Sequence, residues 1–282
     1  MLVILILLAI PLAISLLTYT FFWYETASSP HRQYLANLTK GNASRLLIKG
    51  IVSSYCSMLL TVILFPTSFR QRQRQPASEP DCLQPPVILV HGLYHNVSAW
   101  TLYRRWLHFA GFANVYCLGY SSWNQTLPAL VNRLQQLLIQ VHEKFPDQRP
   151  ILIGHSLGGL VGRACAHSAE GSAHLAGVIT LGTPHRGSKL AAFGVGKLAR
   201  SLLYGSPLVE TLERASGAPD CPCVAIYSPI DNMVLPSQAL KTTEAGWVHH
   251  ETAPISHVTM LYHRPTAMLV IEYLKSMASP DH

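Results

Sequence analysis

The pentapeptide Gly154-His155-Ser156-Leu157-Gly158 lies between an apolar run, Ile151-Leu152-Ile153, and a small-residue stretch at helical spacing, Gly159 to Ala166. A strand followed at once by a helix leaves little room for the chain to reverse. Flanking glycines let the two elements approach without a Cβ clash, and the serine is pushed out on the turn. The helix also begins there, so its first backbone N–H groups point at the same spot. G-x-S-x-G alone is a weak signal. With its strand and helix in place it predicts an exposed, activatable hydroxyl at Ser156.

Around this junction the chain alternates between strand and helix patterns. Val87 to Val90, Val115 to Leu118, Pro150 to Gly154, Ala176 to Leu181, Cys223 to Tyr227 and Trp247 to His250 read as strands. Ser98 to Ala110, Leu127 to Phe145, Leu157 to His167 and Pro265 to Met277 carry helical spacing. Residues 189–218 read as short helices interrupted by glycines. Leu190, Phe193, Leu198, Leu202, Leu203, Leu208 and Leu212 would face a cap's underside or pack on the sheet. Such alternation predicts an α/β fold with a mostly parallel sheet covered by helices on both faces. In that arrangement the site lies at the carboxyl ends of the strands.

A serine hydroxyl needs a base, and the base needs a carboxylate that fixes its tautomer. The expected chain order is serine, acid, histidine. Asp231 follows the strand Cys223 to Tyr227 directly and is the candidate acid. Glu251 is its rival, while Asp220 and Glu244 are placed less well. Among His249, His250, His257 and His263, His257 falls in a loop between the last strand and the last helix. The other three read as structural. The developing oxyanion calls for two prepositioned N–H donors. Leu157 supplies one, directly after the nucleophile. Leu93 is the candidate for the second, in Val87-Ile88-Leu89-Val90-His91-Gly92-Leu93, where His91 reads as shaping the loop.

LVHGL, LIGHSLGGLVGR, TLGTPHRGS and SHVTMLYH, in that order, resemble the α/β-hydrolase superfamily. The resemblance is strongest to its bacterial lipases and esterases and to the related GPI-deacylase group, and it covers roughly residues 85–275. It implies an α/β-hydrolase fold in a minimal version, because the first two strands of the full fold have no clear place. An acidic cluster of the kind that holds calcium in some larger lipases is not evident. The resemblance therefore implies no metal and no cofactor.

Residues 1–24 contain no charged side chain. As a helix they would reach about 36 Å, enough to cross a hydrocarbon core of about 30 Å. Phe22, Trp23 and Tyr24 close the run in the manner of an interfacial aromatic belt. A cleaved signal peptide is the competing reading. Against it, no basic residue precedes the run and no good cleavage site follows it. A second charge-free stretch, 50–69, carries Ser53, Ser54, Ser57 and Thr61. It can cross the membrane, lie in the interface or pack on the catalytic domain. Residues 70–86 read as a linker and 87–282 as the catalytic domain.

The net charge of +7 is uneven. Residues 1–75 hold seven Lys/Arg against Glu25, giving +6; the rest holds 14 basic and 13 acidic residues, giving +1. Basic residues flanking apolar segments suit anionic lipid headgroups. No nucleic-acid partner is implied, because no basic and aromatic stripe appears. The positive-inside rule does not choose a side, since four basic residues separate the apolar segments and three follow the second. With the bacterial resemblance, the anchor implies a bacterial inner membrane. The six cysteines have no metal-ligand spacing and read as buried thiols, or as a disulfide involving Cys82 or Cys221.

The expected function is a membrane-anchored serine hydrolase acting on lipid or acyl esters through Ser156, His257 and Asp231. An acyltransferase or thioesterase would use the same residues. A non-catalytic, hydrolase-like binding protein would keep the fold without an activated serine.

Overall fold

The strand and helix periods in residues 87–278 produce one parallel sheet wrapped on both faces. A computed structural model of the chain describes residues 1–68, 83–214 and 218–278. Strands β1 (Val87–Val90), β2 (Val115–Leu118), β3 (Ile151–His155), β4 (Gly177–Leu181), β5 (Cys223–Tyr227) and β6 (Trp247–Glu251) line up in the order β2-β1-β3-β4-β5-β6. Every pairing is parallel. The strand boundaries match the sequence expectation within a residue. The expected linker lies largely outside the described residues.

Successive strand residues point to opposite faces. On one face Ile88, Val90, Leu152 and Val178 pack with Leu130, Leu134 and Leu138 of the helix Leu127–Lys144. The small-residue helix Leu157–Ala166 packs on the same face. On the other face Val87, Leu89, Ile151, Ile153 and Ile179 meet Tyr103 and Leu107 of Thr101–Phe109, together with Val270 and Leu274 of Arg264–Ala278. Coverage on both sides explains why these strands read as continuous apolar runs.

The N-terminal region forms α1 (Leu2–Ala27), α2 (His31–Leu38) and α3 (Ala43–Leu64). α1 and α3 are both long and apolar enough to cross a membrane. They pack on each other and on the catalytic domain. Tyr19, Phe22, Leu35 and Leu46 form one cluster with Ile230 and Leu235. Leu2 to Ile10 remain exposed. This corrects the expected aromatic belt. Three consecutive helical residues point about 100° apart, so Phe22 turns into the protein while Tyr24 stays 79% exposed. Within residues 50–68, α3 contacts the catalytic domain: Ser256 N–H donates to Ser53 Oγ at 3.0 Å, and Tyr262 pairs with Thr61 at 3.0 Å.

Segment 189–214 forms three short helical pieces, Lys189–Phe193, Lys197–Ser201 and Pro207–Arg214. The expected apolar underside divides. Leu190 and Leu202 line a cavity, and Leu198 and Leu212 join the main core. Phe193 is 70% exposed and stacks on Phe21 of α1. A salt bridge from Lys189 to Glu25 (2.7 Å) holds the same join.

Arg163 ties this segment to the sheet from inside. Its side chain is fully buried. Its Nε–H donates to Glu244 Oε2 at 2.9 Å, and the remaining nitrogens donate to His185 O (2.9 Å) and Leu212 O (3.1 Å). A buried carboxylate deprived of its cation is strongly penalised. Arg163→Met should therefore lower unfolding free energy by about 3 kcal/mol. Urea titration of wild type and variant measures this, with Glu244→Gln in the Met background expected to recover part of the loss.

Candidate active site

The turn after β3 holds Ser156 at φ 54°, ψ −121°, a backbone conformation that non-glycine residues rarely adopt. The surroundings fix it. Ser156 N–H donates to Leu181 O (2.9 Å), one step past the β3–β4 ladder, and Thr183 Oγ1–H donates to Ser156 O at 3.1 Å. Strain maintained by over-determined packing is characteristic of functional turns.

Asp231 and His257 come from loops after neighbouring strands, β5 and β6. The His257 ring is 2.7 Å from the carboxylate, Nδ1 to Oδ2. A carboxylate only accepts, so Nδ1 carries the proton and Nε2 is left as the acceptor. The other carboxylate oxygen, Oδ1, accepts from Met233 N–H (2.9 Å) and Val234 N–H (3.1 Å), which locks its rotamer. Asp231 is 1% exposed and His257 5%. Ser228 holds the two loops together: its hydroxyl donates to Ile255 O at 2.6 Å and accepts from Ile255 N–H at 3.1 Å.

Ser156 and His257 line one cavity of about 220 Å³. Leu93, Leu190, Leu202, Val234 and Val258 give it apolar walls. Leu93 stands on the loop that passes over the serine, for a Cβ at the adjacent Gly92 would be 3.0 Å from Ser156 Cβ. Leu157 opens the helix that follows Ser156. The structure thus brings Ser156, His257, Leu93, Leu157 and the Asp231 carboxylate to one end of the sheet.

The alternatives point elsewhere. Glu251 accepts a hydrogen bond from Tyr34 of α2. Glu244 serves Arg163 and His167. His249 accepts from Thr242 N–H (3.2 Å), His250 pairs with Tyr273 (3.1 Å) and His263 with Thr266 (2.9 Å). His91 stacks on Tyr120 with ring centroids 4.0 Å apart. Cys221 is a free thiol, and Cys82 lies outside the described residues. Among the described residues there is no group of three or more metal-ligating side chains.

Two contributors escaped the sequence reading. His155, inside the G-x-S-x-G motif itself, has its Nε2 3.2 Å from His257 O, and its ring lies 4.7 Å from that of His257. Burial first, and the neighbouring charge of His257 second, hold its pKa well below the usual histidine range. It therefore stays neutral and donates Nε2–H to that carbonyl. Gly182 in TLGTP is the other: at φ +55°, a Cβ there would lie 3.0 Å from both Asp231 Oδ2 and His257 Nδ1. Its place directly after a strand was the available signal.

The Alpha/beta hydrolase family description matches this chain over residues 87–270. The chain belongs to the α/β-hydrolase family. A GPI inositol-deacylase of Candida albicans is 30% identical over 108 residues, which are 38% of this chain and 23% of that protein. This α/β-hydrolase therefore matches less than a quarter of that relative's length. Among solved structures, the mature lipase BlEst2 of Bacillus licheniformis superposes with a TM-score of 0.59 at 18% identity, covering 71% of this chain and 96% of that one. Lipase B of Aspergillus fumigatus gives 0.61 at 16% identity, covering 72% and 55%. A monoacylglycerol lipase of Paleococcus ferrophilus gives 0.54 at 17%, covering 69% and 96%. These likenesses establish the fold.

Gly182→Ala tests the tolerance of the Asp231–His257 pair. The left-handed backbone costs an L residue about 1–2 kcal/mol, and the added methyl must displace one partner by a few tenths of an ångström. We expect a loss of ester turnover of at least about tenfold in a protein that still unfolds cooperatively. Steady-state kinetics beside a thermal melt measure both.

Proposed function

We propose that this α/β-hydrolase is a membrane-associated serine esterase acting on carboxylic esters of lipids. The observation that carries the reading is the Asp231–His257 pair at 2.7 Å, whose histidine lines the same cavity as Ser156 on its strained turn. In this reading Ser156 Oγ attacks the ester carbonyl carbon and His257 Nε2 takes the hydroxyl proton. Asp231 stays ionised and stabilises the imidazolium. Leu93 N–H and Leu157 N–H receive the developing oxyanion. As the tetrahedral intermediate collapses, the carbon–oxygen bond to the leaving alcohol breaks, and that alcohol takes the proton from His257. Water, deprotonated by the same nitrogen, then attacks the acyl carbon; the bond to Ser156 Oγ breaks, Oγ takes the proton back from His257, and the acid leaves. The apolar cavity walls suit an acyl chain.

The membrane part of the reading rests on α1. Leu2 to Ile10 have no protein cover, and the outer faces of α1 and α3 expose Leu16, Leu17, Ile48, Val52 and Ile63. So much contiguous apolar surface calls for a lipid environment. Residues 2–10, the part ahead of Pro11, the first buried residue of α1, reach about 14 Å as a helix, short of a full hydrocarbon core of about 30 Å. With the rest of the hairpin packed on the domain, the catalytic domain itself would sit against the bilayer.

Ser156→Ala should abolish both ester hydrolysis and labelling by a fluorophosphonate probe while the melting transition persists. Asp231→Asn should cut kcat by a factor on the order of 10³ to 10⁴. Wild-type labelling in the alanine variant would overturn the reading. For membrane association, a carbonate wash of membranes carrying the full-length chain should leave the protein in the pellet. Quantitative release would show that the exposed face of α1 is not embedded in lipid.

A further inference from the structure

The two apolar helices carry a line of hydroxyls, and it runs into the loops that hold Asp231 and His257. Asn232 is the junction. It is 1% exposed and follows Asp231 directly. Its Nδ2 donates to Thr18 Oγ1 on α1 at 2.7 Å and to Ser54 Oγ on α3 at 3.4 Å. Its Oδ1 accepts from the backbone N–H of His257 at 3.2 Å. The direction of the amide is determined by its partners. A backbone N–H can only donate, so the oxygen must face His257 and the nitrogen must face the helices.

The acceptors are prepared for this. Thr18 donates its own proton to Ile14 O (2.8 Å), and Ser15 donates to Ser54 Oγ (2.9 Å). Two further links run in parallel. Tyr19 OH donates to Ile230 O at 3.0 Å, one residue before Asp231. Ser53 accepts Ser256 N–H through its hydroxyl at 3.0 Å and Thr259 Oγ1–H through its carbonyl at 2.9 Å. Both neighbours of Asp231, and Ser256 and Thr259 close to His257, are therefore bonded to α1 or α3.

This arrangement exceeds what a tether needs. A tether can attach through any surface of the domain. Here buried polar groups in otherwise apolar helices are spent on the two loops that position the acid and the base, where unpaired groups would be heavily penalised.

We propose that Asn232 is a positioning residue, and that the α1–α3 hairpin completes the active site by fixing the His257 backbone through Thr18, Ser54 and Asn232. The proposal rests on the serine-hydrolase reading above. Asn232 touches no reacting atom. It acts by holding His257 where its ring meets both Asp231 and Ser156. Hydrolytic competence then depends on the hairpin being folded against the domain.

The test uses the full-length chain in detergent micelles, with p-nitrophenyl butyrate hydrolysis and fluorophosphonate labelling as readouts. Thr18→Val with Ser54→Ala removes both acceptors and keeps the helix surfaces nearly the same shape. The double variant should lose about tenfold in kcat and in labelling rate, with KM within about twofold and a cooperative melt. A KM-neutral loss of kcat reports misplacement of reacting groups rather than weaker substrate binding. Thr18→Ser with Ser54→Ala retains one hydroxyl and should return to within about twofold of wild type. Adding Asn232→Ala to the Val/Ala pair should cost little more than Asn232→Ala alone, because the three act in series. Leu17→Ala, on the exposed face of α1, is the control and should leave kcat unchanged. Unchanged kcat in the Val/Ala variant, fully additive losses, or no rescue by serine would each overturn the positioning role. Failure of the underlying reading looks different: Ser156→Ala would still be labelled.

Discussion

A side chain at Gly158 would place its Cβ 2.1 Å from Val90 O, and one at Gly159 would come within 1.9 Å of Thr183 Oγ1. The helix that starts at Leu157 therefore runs in direct backbone contact with β1 and beside the loop after β4. That approach determines where the chain can turn. It forces Ser156 into its positive φ and points the helix N-terminus at the serine. It also sets the loop after β1, which carries Leu93, against Ser156. Any residue larger than glycine at these contacts would lift the helix off the sheet and release the turn.

Asp231 and His257 depend on a different kind of support. They stand on loops after β5 and β6, next to an edge of the sheet, where no further strand among the described residues continues the ladder. Ser228 ties the loops to each other, and His155 reaches across from the nucleophile turn to His257 O. Gly182 provides the space into which the Asp231–His257 pair fits. Some of the backbone groups of these loops, Ile230 O and Ser256 N–H, find partners on α1 and α3. The apolar hairpin thus occupies the position of a wall of the catalytic domain, and its outward faces remain bare.

This packing gives the N-terminal helices two faces with opposite demands. The inward face is built from hydroxyls and aromatics, Ser15, Thr18, Tyr19 and Phe22 on α1 with Gly50, Ser54 and Ser57 on α3, all buried. The outward face is aliphatic. Gly50 is needed because the Tyr19 ring fills the space its side chain would take, with Cε1 2.5 Å from an ideal Cβ. A helix that contacts only lipid has no use for such a seam. A helix packed on protein along one side does.

Local pattern determined most of the catalytic half. Apolar runs bounded by turn residues located all six strands, because strands buried on both faces are apolar throughout. The G-x-S-x-G junction marked Ser156, since the constraint there is local: a strand, a tight turn and a helix in consecutive residues. Asp231 and His257 were singled out by their places after the last two strands, since the site of such a sheet is expected at its carboxyl end, and the structure pairs the two side chains. Asp231 was chosen over Glu251 from its place just past β5, and in the tertiary structure Glu251 turns toward Tyr34 instead. The sequence also placed Phe22 with the membrane and left residues 50–69 undecided, because hydropathy is blind to what an apolar face touches. Thr18, Ser54 and Asn232 lie far apart in the chain, and each looks ordinary in its own segment. Their common purpose arises from contacts 178 and 214 residues apart in sequence, and a hydrogen bond over such a separation exists only once the chain has folded.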